Sequence, residues 1–161
     1  MDAVHARGRR MGKWILAQAL LLAMGAAQAA EPACQTNFKQ EGSFFAGRRF
    51  STNDLVPGVA PAVAFKRIYT EGIKSGLTVG SSDKDIGVIA FVQKNGGVTS
   101  NGQNVDLPWN VSIDAEGDGS RISVTKSTPG GYATSQDFQI KSMCAVIDAA
   151  GEPSSWLFAL G

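Results

Sequence analysis

The stretch "LPWNVSIDAEGDGSRISVTKS", from Leu107 to Ser127, constrains the fold of this chain more than any other. Val111, Ile113 and Ala115 alternate with Ser112, Asp114 and Glu116. Beyond a Gly/Asp-rich gap, Ile122 and Val124 alternate with Arg121, Ser123 and Thr125. Successive side chains on a strand point to opposite faces, so a period of two buries one face and wets the other. Two such runs joined by a short turn form an antiparallel hairpin. The chain must then supply something apolar to lay over the buried face.

The turn in this hairpin, "IDAEGDGSRI", also begins like a calcium loop. Asp114, Glu116 and Asp118 alternate, and Gly119 is the sixth residue counted from Asp114. An EF-hand loop needs a ligand at its ninth position and a bidentate Glu at its twelfth. Ile122 and Thr125 stand there instead. The flanks also have strand rather than helix periodicity. We therefore read a tight turn, with Asp118-Gly119 supplying the positive φ angles, and no metal site.

Cover for the hairpin comes from two helical segments. In "APAVAFKRIYTEGIKSG", Phe65, Ile68, Tyr69 and Ile73 recur at helical spacing, and Lys66, Arg67, Glu71 and Lys74 fill the other side. Pro61 suits the first turn and Gly76 the stop. In "TSQDFQIKSMCAVIDAA", Ile140, Met143, Cys144 and Ile147 form a stripe. Thr134 or Ser135 caps its start and Gly151 and Pro153 end it.

Three more strands are expected. One spans roughly Ser43 to Ser51, followed by a turn-rich connection "NDLVPGVAP". Leu77 and Val79 begin a second, which "SSDKD" turns into "GVIAFVQ". That third strand is apolar on both faces, as in a central strand covered on each side or one that meets another copy. "NGGVTSNGQNVD" reads as a flexible loop with turns at Asn95-Gly96 and Asn101-Gly102. It lacks the Lys-Ser/Thr pair of a phosphate loop. The order β-α-β-β-β-β-α predicts an α+β two-layer sandwich. An antiparallel sheet of about five strands carries two helices on one face.

The ends of the chain bear on its compartment. "MGKWILAQALLLAMGAAQAA" has a lysine, an apolar run and small residues at Ala27 and Ala29, the pattern of a secretory signal peptide. Cleavage is expected between Ala29 and Ala30. Residues 1–10 are either a long basic leader start or an upstream start codon, with Met11 the true start. The leader takes four of the 15 basic residues and one of the 14 acidic ones, leaving 11 against 13 in residues 30–161. That balance carries no basic face for nucleic acid. The apolar run is too short for a stable membrane span, which takes about 20 residues.

Residues 30–161 are read as one domain, with a possible loose apolar tail over 152–161. The single histidine, His5, leaves with the leader, and no Ser-His-Asp or Cys-His device remains. Cys34 and Cys144 are an even pair without a CxxC spacing, expected as a disulfide in an exported protein.

"AFKRIYTEGIKSGLTVGSSDKDIGVIAF" carries Ala64-Phe65, Asp83-Lys84, and Gly87, Ile89 and Ala90. In these features it resembles small envelope proteins and lipoproteins of Gram-negative bacteria. Among them are the helix-grip domains of the C component of the β-barrel assembly machinery. Residues 61–93 match best. The resemblance implies an envelope interaction module rather than an enzyme. The chain departs from the lipoproteins in lacking a lipobox cysteine.

These observations give the expected function: a non-catalytic periplasmic or secreted envelope protein acting as an interaction or accessory module. Its partner is another envelope protein, met at the sheet edges or at Trp156, Leu157 and Phe158. The alternative is a small-ligand or lipid carrier with a cavity between helices and sheet, lined by Phe44, Phe45, Phe65, Phe91 and Phe138. No catalytic, cofactor-binding or metal-binding residue is assigned.

Overall fold

A computed structural model describes residues 32–151. The expected leader with its Ala29–Ala30 cleavage site, and the 152–161 tail, lie outside the described residues. The elements run α1 (Ala33–Thr36), β1 (Lys39–Ser43), β2 (Gly47–Val56), α2 (Pro61–Lys74) and β3 (Thr78–Asp83). Then come β4 (Val88–Gln93), β5 (Leu107–Glu116), β6 (Gly119–Thr128) and α3 (Gln136–Gly151).

One six-stranded antiparallel sheet has the order β1-β2-β6-β5-β4-β3. The α+β two-layer expectation holds, with one strand more than expected. The segment read as a single strand from Ser43 to Ser51 is a hairpin, turning at Phe44–Ala46 between β1 and β2. Asn53 to Val56, read as connection, extend β2 against Ser123, Ile122, Arg121 and Ser120 of β6. Their long-range partner lies in the hairpin's second strand, which local turn signals do not reveal.

The β5–β6 hairpin has the expected register, with Val111 opposite Val124 and Ile113 opposite Ile122. Its loop differs in detail. Glu116 pairs with Gly119, and the positive φ falls on Gly117 at 61° rather than on Asp118-Gly119. A leading Gly is what a type II′ turn asks for. Gly119 is glycine for another reason: a Cβ there would run into the Val56 carbonyl of the β2 end. Ala115 is exposed instead of inward.

The inner face of the sheet gives Phe50, Ile89, Phe91, Trp109, Val111, Ile113, Ile122 and Val124 to the core. Ala64 and Ile68 of α2, and Met143, Val146, Ile147 and Ala150 of α3, pack onto it. The buried face of α2 is rotated from the expected one. Ala64, Ile68, Glu71 and Gly72 point inward, and Ile73 is exposed. Gly72 sets this rotation. A Cβ there would lie 2.5 Å from Phe91 Cζ, so only glycine lets the helix sit on that ring.

The doubly apolar β4 resolves into a covered face and an open one. Ile89 and Phe91 lie under the helices, while Val88 stays exposed. The "NGGVTSNGQNVD" loop is folded rather than loose. Val105 N–H donates to Gly97 O at 3.0 Å, Ser100 N–H to Gly131 O at 2.8 Å, and Tyr132 Oη to Gly96 O at 2.7 Å.

Cys34 of α1 and Cys144 of α3 are bonded, with Cα atoms 5.7 Å apart. Around the bond, the Cys34 amide donates to Asp54 Oδ2 at 2.8 Å and Thr52 Oγ1 donates to the Cys34 carbonyl. The C-terminal end of α3 is held by Arg67, whose guanidinium donates to the carbonyls of Ala150 and Gly151, each at 2.8 Å. A cation suits that helix end, where carbonyls lack intrahelical partners.

Candidate functional site

The strand alternation of β6 does not stop at its apolar residues. Ser120, Ile122, Val124, Lys126 and Thr128 are all buried along one face. Lys126 therefore sits where a core residue is expected, and it is 1% exposed. The cross-strand register places it in one row of the sheet. Phe91 on β4 lies opposite Trp109 on β5, Trp109 opposite Lys126 on β6, and Lys126 opposite Phe50 on β2.

A buried ammonium costs several kcal/mol unless its charge is met. Here it is met mostly by aromatic faces. Lys126 Nζ lies 4.3 Å from the Trp109 ring centroid and 5.8 Å from that of Phe138 on α3. Both fall within cation–π range. Among the described residues its one hydrogen bond goes to Gln93 Oε1 on β4, at 3.3 Å. Among the described residues no carboxylate forms an ion pair with it. Burial lowers its pKa from 10.5 to about 8. At pH 7 the amine is still largely protonated.

Lys126 lines a cavity of about 340 Å³ between the layers. Trp109 and Gln93 share the floor with it. Ser75, Gly76 and Leu77, after the end of α2, form one wall. Phe138, Lys141, Ser142, Ala145, Val146 and Asp148 of α3 form the other. The Trp109 indole N–H is buried and has no hydrogen-bond partner among the described residues. The Asp148 carboxyl is pushed above its usual range by burial and by the nearby charge of Asp54.

The α3 wall is fixed locally. Ser135 Oγ accepts from the Phe138 amide at 3.2 Å, which is the expected cap. Gln139, also buried, donates through Nε2 to Thr134 Oγ1 at 2.6 Å. The disulfide joins the middle of the helix to α1.

Of the five phenylalanines expected around a cavity, Phe138 alone lines this one. Phe44 and Phe45 stand at the tip of the β1–β2 hairpin, Phe45 being 89% exposed. Phe65 stacks beside Tyr69, and Phe91 is buried under Gly72. Total aromatic content does not distinguish a cavity wall from a hairpin tip.

The acidic turn is organised around an arginine. Glu116 is held by Arg121 through Nε and Nη2, which lowers its carboxyl's pKa, and Asp114 faces Arg121 across the hairpin. Among the described residues no three His, Cys, Asp or Glu side chains gather to hold an ion.

Lys126, Trp109 and Gln93 were not singled out from the sequence. The signal was present: inward positions 111, 113, 122 and 124, extended two residues, reach Trp109 and Lys126. A lysine in a core register is the anomaly that marks the site.

No protein-family description matches this chain, and no curated protein matches it. Among the solved structures similar in fold are the following two. Ara h 8.0201 aligns at 16% identity with a TM-score of 0.49, over 71% of this chain and 99% of that one. CalU16 from Micromonospora echinospora aligns at 12% identity with a TM-score of 0.45, over 76% of this chain and 89% of that one.

Proposed function

We propose that this protein is a binding protein for a small, largely apolar molecule held between the sheet and α3. The observation that carries this reading is the cavity of about 340 Å³, walled by Leu77, Trp109, Phe138, Ala145 and Val146. That volume falls in the range of small-molecule sites, roughly 300–1,000 Å³. Its polar groups are few, as in sites where apolar walls give affinity and single polar groups give orientation. Its ionisable groups are Lys126, Lys141 and Asp148, a set that suits holding a ligand better than acid–base catalysis.

The compartment belongs to the same proposal. A disulfide supports an oxidising one, outside the cytoplasm. Among the described residues no helix is long and apolar enough to cross a membrane. The signal-peptide pattern before Ala30 and the likeness to envelope proteins support the periplasm.

The test is titration of the full chain, expressed with its own leader, with the neutral fluorophore N-phenylnaphthylamine. Saturable enhancement is expected, and Ala145→Trp, which fills the cavity, should abolish it while the protein stays folded by circular dichroism. Binding that is absent, or indifferent to Ala145→Trp, sinks the reading.

A second reading, a module for an envelope protein partner, rests on the edge of the sheet. Every residue of β1 is exposed, and Phe45 projects from its hairpin tip. An open edge strand can add a strand from another chain. A photocrosslinker at position 45 in the native host should trap such a partner; a clean lane counts against it.

A further inference from the structure

We infer that the ligand of this cavity is a monoanionic amphiphile, a carboxylate on an apolar body, whose head is received by Lys126 and the Trp109 indole N–H. The inference rests on the cavity being a ligand site and names the class of ligand it takes.

Two independent observations point the same way. Among the described residues Lys126 has no carboxylate partner, and it is buried in the floor of a space walled largely by apolar side chains. The indole N–H of Trp109, its neighbour across the strands, is a buried donor with no acceptor among the described residues. An orphaned buried donor is costly, and a buried cation met only by rings and one amide oxygen costs more. A carboxylate answers both, because its two oxygens accept only and carry one charge. The walls leave the rest of the space to an apolar chain.

The number of cations limits the charge of the head. Lys141 also lines the cavity but is exposed, so water screens it. Asp148 on the same helix carries the opposite sign. Gln93 is neutral, and Arg48 on β2 spends its guanidinium on the Tyr132 and Thr134 carbonyls. The α2 end contributes Ser75, Gly76 and Leu77, none of them ionisable. One interior charge fits a monoanion better than a phosphate dianion.

The pH window follows. Octanoate is ionised above about pH 5. Lys126 holds its proton below about 8. The preference for an anionic head therefore spans the interval between them and declines above it. Asp148→Asn, titrated alongside, separates the contribution of the one carboxylate in the cavity.

The experiment compares octanoate with 1-octanol, the same chain with and without charge, by calorimetric titration of the full chain. At pH 7 octanoate should bind roughly ten- to a hundredfold more tightly, as expected for a hydrogen bond to a charged group. Lys126→Met should erase that preference, Lys141→Gln should lower it by less than about threefold, and Lys84→Gln, on the exposed turn after β3, should leave octanoate and octanol binding as they are. In the unmodified protein the preference should shrink above pH 8, a readout that needs no variant. Equal binding of acid and alcohol overturns the anionic head and leaves the cavity reading standing. A preference that survives Lys126→Met overturns the assignment to this lysine. Binding of neither probe overturns the cavity reading itself.

Discussion

Lys126→Met should make the empty protein more stable at neutral pH. The ammonium is protonated in the unfolded chain up to about pH 10.5, but in the fold only up to about 8. At about 1.4 kcal/mol per pH unit, the gap between 10.5 and 8 corresponds to about 3 kcal/mol of unfavourable burial. The attraction of the Trp109 ring, 4.3 Å away, returns about 1 kcal/mol. Methionine has nearly the same length and no charge to desolvate, so the net gain at pH 7 is about 2 kcal/mol.

The pH dependence separates this cause from simple repacking. Between about 8 and 10.5 the unfolded state holds a proton that the folded state has released. The contribution of Lys126 to the stability of the unmodified protein therefore rises with pH in that interval. The advantage of the variant should be full below pH 8, shrink above it, and be gone past 10.5. Urea unfolding of both proteins at pH 6, 7, 8 and 9.5, followed by circular dichroism, gives the comparison. A loss of 1 kcal/mol or more at pH 7 would refute the reasoning, as would a gain that does not change with pH.

Gly72→Ala should destabilise by about 1–2 kcal/mol despite alanine's better helix propensity, because its Cβ meets the buried Phe91 ring; a raised melting temperature would contradict the packing account. Replacing both Cys34 and Cys144 by Ala should cost up to about 4–5 kcal/mol, the chain-entropy value for a loop of 110 residues, measured by urea unfolding. Ser135→Ala removes the α3 cap and should cost about 1 kcal/mol, seen as a lower urea midpoint with an unchanged slope.

The layers of this fold were legible because they depend on short-range periodicity. Val111, Ile113, Ile122 and Val124 announce a buried face within a single stretch of 14 residues. The Ile140–Ile147 stripe announces its cover. What was not legible depends on partners distant in sequence. The end of β2 looks like a loop until Ser120 to Ile122 are laid beside it. Glu71 looks solvated until Gly72 turns that side of α2 toward Phe91. The cavity is harder still, because it is made of what α3 and the α2 end leave unfilled. Its one trace in the sequence is a charged residue where the alternation asks for an apolar one.

The strand order also sets a timetable. β3 to β6 are consecutive in sequence and adjacent in the sheet, so each can zip onto the last as a local event. The β1–β2 hairpin has to wait, because its berth beside β6 lies some seventy residues further along the chain. Contacts of such separation slow folding, since the intervening loop must close before they form. The bond between Cys34 and Cys144 brackets that interval, tying α1 beside β2 to the helix that follows β6. Once oxidised, the chain keeps its two latecomers within reach of each other. Refolding from urea with the bond intact should then skip the slowest search, and the first folding of a new chain should not.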